Sequence, residues 1–90
     1  DQGNASAQNS LGNCYNSGNG VPQSYTEAAK YYRLAADQGY ASAQYNLGDS
    51  YEYGTGVSVD MSEAIRLYRL AAKNGNENAK KALERLGVSQ

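Results

Sequence analysis

Two carboxylates lie three residues apart in the middle of the chain, at Asp49 and Glu52. Residues at this spacing are neighbours on one face of a helix, so the pair could share a proton in acid–base chemistry or bind a cation. Acid–base catalysis requires surroundings that separate the two pKa values, usually in a closed pocket, and calcium requires six or more oxygen ligands. An open helix face supplies neither. The sequence therefore predicts no catalytic residue and no metal site.

The sequence contains one cysteine, Cys14, and no histidine. The commonest general base and the commonest metal ligand are therefore both missing, and no histidine is available to activate the thiol. A single cysteine cannot form an intramolecular disulfide. We interpret Cys14 as a small thiol beside the core, with an intermolecular crosslink as the alternative.

Two glycine-rich segments, Gly18-Asn19-Gly20 and Gly54-Thr55-Gly56, are of a type that can bind phosphate. Neither continues to the third glycine of a dinucleotide fingerprint, and neither precedes the Lys-Ser/Thr pair of a phosphate-binding loop. We therefore predict turns and no cofactor. The formal net charge of −1 offers no attraction for polyanions, so we expect no nucleic acid as a partner. No apolar run is long enough to cross a membrane, so we expect no membrane partner either.

An internal repeat of 36 residues organises the whole chain. Aligning residues 1–36 on residues 37–72 gives 20 identical positions, and residues 73–90 begin a third copy. Such self-similarity is typical of repeat architectures. The chain is thus predicted to form a single repeat domain, in which 1–3 is the tail of a preceding repeat, 4–39 the first repeat, 40–75 the second repeat and 76–90 a C-terminal capping helix.

Each copy is predicted to form two helices. In the second copy, Ala43, Leu47 and Tyr51 recur at the spacing of one helical stripe, and Gly54 is suited to end that helix. A capping box, in which an oxygen-bearing residue precedes a glutamate by three positions, is predicted at Asp60 and at Ser24 and would begin the second helix of each copy.

Glycine also recurs inside the first helix of each copy, at Gly12 and Gly48. Glycine in a helix interior costs about 1 kcal/mol relative to alanine. A cost that is repeated at the same position indicates a packing reason. We therefore expect the second helix to lie close against the first at this point.

Together these residues resemble the Sel-one-like repeat family, a branch of the tetratricopeptide superfamily. The motif Ala-x-Ala-Gln-x-x-Leu-Gly-x-x-Tyr-x-x-Gly-x-Gly-Val, followed by a capped Glu-Ala helix that ends in Ala-Ala-x-x-Gly, occurs twice in register. The resemblance implies an all-α fold, a right-handed α-α superhelix (solenoid) of antiparallel helix pairs in about two and a half repeats. It also implies that the first helix of each pair lines the concave side, and that the protein is an adaptor rather than an enzyme.

The resemblance leaves two alternatives for function. One cysteine-rich subfamily, with a cysteine pair in each repeat, is associated with penicillin binding and weak β-lactam hydrolysis, which would make this chain a β-lactam-binding or hydrolysing protein. Here Ser50 stands in the second copy where Cys14 stands in the first, and no pair exists. The other alternative is a spacer without a ligand of its own, within a longer array.

The stripe of each first helix that is opposite its core residues is the candidate binding surface. We expect a peptide or a partner protein to bind there, with Tyr45 as a flat aromatic anchor. The chain itself is expected to be a monomer or a weak homodimer through stacked or swapped terminal helices. The predicted ligand-contacting residues are Asn9, Asn13, Asn16, Ser42, Tyr45, Asp49, Glu52, Lys81 and Arg85.

Overall fold

A computed structural model describes residues 3–88 of the 90-residue chain. This part of the chain forms five α-helices and no strand. The helices are α1 (Ala5–Ser17), α2 (Tyr25–Ala36), α3 (Ala41–Tyr53), α4 (Met61–Lys73) and α5 (Glu77–Arg85). Within the same residues, no helix is long and apolar enough to span a membrane. The predicted all-α fold is confirmed.

The helices stack in chain order, so that each packs mainly against the next one. The first repeat supplies the antiparallel pair α1 and α2, the second supplies α3 and α4, and α5 covers the end of the second pair. The resulting body is elongated, with extents of 37 × 24 × 16 Å. This arrangement is the predicted solenoid of about two and a half repeats.

Small residues and tyrosines form the core, in two clusters rather than one. The first cluster includes Ala28, Tyr32, Ala35, Ala43 and Leu47. The second includes Ala64, Tyr68, Ala71, Ala79 and Leu83. Alanine lets helix backbones approach closely, while each tyrosine ring fills a larger volume and leaves its hydroxyl to be bonded at the edge of the core.

The glycines inside the first helices have the predicted packing role. A Cβ at Gly48 would lie 2.9 Å from two ring carbons of Tyr68, and a Cβ at Gly12 would lie 2.6 Å from Cε1 of Tyr32. Real Cβ atoms do not approach ring carbons this closely. The expected close approach of the second helix is therefore confirmed, and the partner is the tyrosine ring of that helix.

The second helices begin with only half of the predicted capping box. The Asp60 side chain accepts a hydrogen bond from the backbone N–H of Glu63, with 3.1 Å between Oδ1 and N. The Glu63 carboxylate bonds Arg66, and the N–H of Asp60 donates instead to the carbonyl of Tyr51, at 3.0 Å. This backbone bond ties the start of α4 to α3, and the first copy repeats the arrangement at Ser24.

The loop that follows α3 is shaped by glycines and lies against the first repeat. Gly54 has a φ of 71° and ends α3 in the left-handed conformation, as predicted. Gly56 has a φ of 82°, and a Cβ there would lie 2.1 Å from the carbonyl oxygen of Tyr25 at the start of α2. A Cβ at the equivalent Gly20 would meet no heavy atom within 4 Å. The second loop therefore forms part of the contact between the repeats.

Candidate functional site

The first helices of the successive copies, α1, α3 and α5, are linked to one another by polar side chains. Asn46 on α3 donates from Nδ2 to Oδ1 of Asn9 on α1, at 3.0 Å. Arg85 on α5 donates to Glu52 on α3. We call this surface, formed by α1, α3 and α5, the A-helix row. It contains all nine residues that the sequence predicts to contact a ligand.

Asn9 is buried, with 8% of its surface exposed, and so differs from the expected exposed position. The helical projection of α1 places Asn9 opposite the core of its own repeat. A projection of one helix does not include α3, the first helix of the next repeat. α3 covers this edge of α1, and Asn46 takes up the Asn9 amide oxygen. Asn9 is therefore buried within the row and bonds the neighbouring helix α3.

Asn13 is exposed on α1, but its amide oxygen already has a partner. The hydroxyl of Tyr32, which comes from the core side of α2, donates to Asn13 Oδ1 at 2.6 Å. Burial, with a smaller effect of the Asp49 charge, raises the pKa of Tyr32 to about 12. The amide oxygen of Asn13 is thus engaged within the protein.

Glu52 is the most heavily bonded side chain on the row. Its carboxylate accepts hydrogen bonds from the Tyr68 hydroxyl at 2.7 Å and from Arg85 Nη1 and Nη2 at 2.6 and 2.8 Å. The side chain is only 6% exposed. The bonds from Arg85 lower the pKa of Glu52, and the Tyr68 hydroxyl adds to this, against an opposing effect of burial. Glu52 thus fastens α5 to the second repeat.

Asp49, one helical turn before Glu52, has the opposite surroundings. It is half-buried, and among residues 3–88 its side chain has no hydrogen-bond or ion-pair partner. Every fully buried side-chain oxygen in that range does have a partner, so the Asp49 oxygens must reach the solvent. Burial and the nearby Glu52 charge raise the pKa of Asp49, while Arg85 opposes the rise.

Tyr45, the predicted aromatic anchor, is half-buried and packs partly on the protein. Its ring centroid lies 5.7 Å from that of Tyr68, with the two planes tilted by 36°. Burial raises the pKa of the Tyr45 hydroxyl, and the charge of Asp49 adds to the rise. Tyr45 is thus partly exposed at the surface. It lies four residues before Asp49, on the same face of α3.

The remaining predicted residues, Asn16, Ser42, Lys81 and Arg85, are exposed on the row as expected. Sequence reasoning missed the part played by Tyr32 and Tyr68, whose hydroxyls bond Asn13 and Glu52 on the row. The signal was available, because a buried tyrosine hydroxyl requires a hydrogen-bond partner. Within residues 3–88, no group of three or more His, Cys, Asp or Glu side chains could hold a metal ion.

The sequence matches the family model described as Sel1 repeat twice, over residues 5–40 and 41–76. Among curated proteins there is no match to the chain. The matches therefore come from the family model and from solved structures.

Several solved structures share this fold, including the following three. The crystal structure of a Sel1 repeat protein from Oxalobacter formigenes has a TM-score of 0.92 and 45% identity, over 94% of this chain and 34% of that one. A protective antigen present in uropathogenic Escherichia coli strains, which displays an SLR fold, has a TM-score of 0.89 and 41% identity over 91% of this chain. Helicobacter pylori cysteine rich protein B has a TM-score of 0.84 and 26% identity over 88% of this chain.

All three proteins are longer than this chain, which spans 34%, 18% and 59% of their respective lengths. The likeness nevertheless covers nearly all of this chain, and the repeat motif is matched twice. Proteins with this fold are generally scaffolds for protein interactions and are typically not catalytic. The chain belongs to the Sel1 repeat family.

Proposed function

We propose that this chain is a non-catalytic interaction segment that binds a peptide or a partner protein on the A-helix row. The observation that supports this function is the contrast between framework and row. Most of the glycines and alanines that fold the repeat are the same in both copies, and the core tyrosine Tyr32 recurs as Tyr68. The position shared by Asn13, Asp49 and Arg85, at intervals of 36 residues, holds an amide, an acid and a base in turn.

A repeated framework with a varied row is what a recognition surface requires, because the fold is kept while the contacts are changed. The burial of each side chain divides the predicted contact residues into two groups. Asn16, Ser42 and Lys81 are exposed, and Tyr45 and Asp49 are half-buried at the surface. These five side chains are the contact residues in our proposal, whereas Asn9, Asn13, Glu52 and Arg85 are engaged in hydrogen bonds within the protein.

The test is to select binders from a phage-displayed library of random peptides and to map one synthetic binder on the protein by backbone amide chemical shifts. We expect the shifted amides to lie on α1, α3 and α5. A footprint confined to α2 and α4, or the recovery of no binding peptide, would overturn the proposal.

Variants for this test are best taken from exposed positions on the row. Asn13→Ala is unsuitable, because it would leave the buried Tyr32 hydroxyl without its acceptor. Ser42→Trp adds a bulky ring to an exposed position on α3, and Ser62→Trp adds the same ring to an exposed position on α4. We expect Ser42→Trp to block peptide binding and Ser62→Trp to leave it unchanged.

No observation favours the β-lactam-binding alternative or the spacer alternative. Incubation with a chromogenic β-lactam is expected to show no turnover, and turnover would overturn the non-catalytic assignment. The formal charge of −1 supports a protein partner over a nucleic acid. Whether the chain is a monomer or a weak homodimer stays a prediction, which light scattering over a range of concentrations would test.

A further inference from the structure

The two repeats use equivalent tyrosine hydroxyls differently, and the difference sets Asp49 apart. In the first repeat, Tyr32 donates to Asn13, which occupies the position equivalent to Asp49. In the second repeat, the equivalent Tyr68 donates to Glu52, three residues further along the helix. The carboxylate of Asp49 is thereby left without the hydrogen bond that its counterpart accepts.

Arg85 does not compensate for this, although its positive charge opposes the rise in the pKa of Asp49. Both of its terminal nitrogens are bonded to Glu52, at 2.6 and 2.8 Å. Two carboxylates therefore face one guanidinium, and this part of the row has a charge of about −1 at neutral pH. A half-buried carboxylate that has lost part of its hydration gains more from an ion-pair partner than a fully solvated one does.

The ring of Tyr45 provides a second contact beside this carboxylate. It is half-buried, packs on Tyr68 at a centroid distance of 5.7 Å and lies four residues before Asp49 on α3, so the two side chains are neighbours on one face of the helix. The long apolar stems of lysine and arginine pack well on such a ring, and their charged ends are attracted to its face. A carboxylate next to a tyrosine ring thus matches a basic side chain in charge and in shape.

We infer that Asp49 and Tyr45 form the subsite of the A-helix row that accepts a lysine or arginine side chain of the bound peptide. The basic group pairs with the carboxylate of Asp49, and its stem lies on the Tyr45 ring. This inference rests on the proposed function, because it names the residue type that the row selects. A metal ion fits less well, since calcium takes six or more oxygens and no cluster of that kind occurs among residues 3–88.

The experiment compares charge removal on the two sides of the contact. Peptides are selected from a random displayed library, and a binder is synthesised both with its arginine or lysine and with the neutral citrulline or norleucine in its place. Affinities of both peptides are measured for the wild type, for Asp49→Asn and for Asp37→Asn. Asp37 is an exposed acid at the end of α2, off the row, so that variant has the same change in net charge.

We expect the wild type and Asp37→Asn to bind the basic peptide about tenfold or more tightly than the neutral one. Asp49→Asn should bind the two peptides equally, while its circular dichroism spectrum remains that of the wild type. If Asp49→Asn keeps the full preference, the inference is overturned. Displacement of the peptide by calcium ions from the wild type and Asp37→Asn, but not from Asp49→Asn, would assign the carboxylate to a metal ion and would also overturn it.

Failure of this inference is distinct from failure of the proposed function. Peptides that bind the row without a basic residue, in both the wild type and Asp49→Asn, would contradict the subsite and leave the interaction segment in place. A footprint on α2 and α4 would contradict both. Tyr45→Leu provides a further readout. Removing the ring should lower the affinity for the basic peptide more than the affinity for the neutral one, whereas a purely structural effect would lower both affinities alike.

Discussion

Arg85 and Glu52 lie 33 residues apart in the chain and are joined by two hydrogen bonds. Glu52 is in the middle of the second repeat, whereas Arg85 is the last residue of α5. Because α5 packs mainly against α4, this ion pair is a separate connection between α5 and α3. The Glu52 carboxylate, on the A-helix row, accepts both of these bonds within the protein.

Removal of this ion pair is expected to loosen α5 without unfolding the repeats. In Arg85→Met, hydrogen exchange of the α5 backbone amides should become faster, while exchange in α2 and α3 stays as in the wild type. Lys81→Met is the matched control, since Lys81 is an exposed base on the same helix with no ion pair among residues 3–88. Equal acceleration in the two variants would contradict a specific role of the pair.

Neutralising the two neighbouring acids should change stability in opposite directions. The pKa of Glu52 is lowered from 4.5 in the folded protein, so its ionised form stabilises the fold above pH 4.5, and this stabilisation is lost as the pH falls through the lowered pKa. The pKa of Asp49 is raised from 3.8. Its stabilisation is complete below pH 3.8 and is lost as the pH rises through the raised pKa.

At neutral pH, Glu52→Gln is therefore expected to lower the midpoint of thermal unfolding, and Asp49→Asn to raise it. The gain in Asp49→Asn should disappear below pH 3.8, where the native carboxyl is also neutral. Thermal unfolding followed by circular dichroism over a range of pH values measures both effects. Shifts of the same sign at neutral pH would show that the two carboxylates have similar surroundings. A stabilising Asp49→Asn would agree with a residue retained for binding.

Substitution of the glycine inside α3 tests the close packing of the helix pair. In Gly48→Ala the new methyl group would lie 2.9 Å from the Tyr68 ring. Overpacking of this kind costs about 1–3 kcal/mol of unfolding free energy, which exceeds the gain of about 1 kcal/mol in helix propensity. Urea denaturation should show a net loss for Gly48→Ala. Ser42→Ala, at an exposed position on the same helix, should change stability by no more than about 0.5 kcal/mol.

The equivalent loop glycines offer a comparison at the same backbone conformation. Gly20 and Gly56 have φ values of 81° and 82°, so alanine introduces similar backbone strain of about 1–2 kcal/mol at either position. Only at Gly56 would the new Cβ also collide with the backbone of Tyr25. We expect Gly56→Ala to lower the urea midpoint more than Gly20→Ala does. Equal losses would mean that the second loop does not hold the two repeats together.

The fold was predictable because each step depends on residues close together in the sequence. Gly54 ends α3 in the left-handed conformation, and Asp60 accepts the bond from Glu63 that begins α4. Each such feature occurs in both copies of the repeat, which supports its prediction. The second half of the capping box was wrong, because the N–H of Asp60 donates to Tyr51 on another helix, a contact that local spacing does not indicate.

The site was predictable only in part, because burial on the row depends on neighbouring helices. A single-helix projection placed Asn9 and Glu52 on an exposed stripe. In the structure Asn9 is covered by α3 and bonds Asn46, and Glu52 is covered by α5 and bonds Arg85. Whether the Tyr68 hydroxyl donates to Asp49 or to Glu52 depends on side-chain geometry alone. No sequence pattern specifies it.

The stacking of each helix on the next also bears on how the chain folds. Contacts between neighbouring helices join residues that are close in sequence, and chains dominated by such contacts do not have to close long loops before they gain native interactions. Folding can therefore begin at either helix pair and spread along the stack. Amides in α2, α3 and α4, which have a neighbouring helix on both sides, should be the last to exchange with solvent, and the terminal helices α1 and α5 should open first.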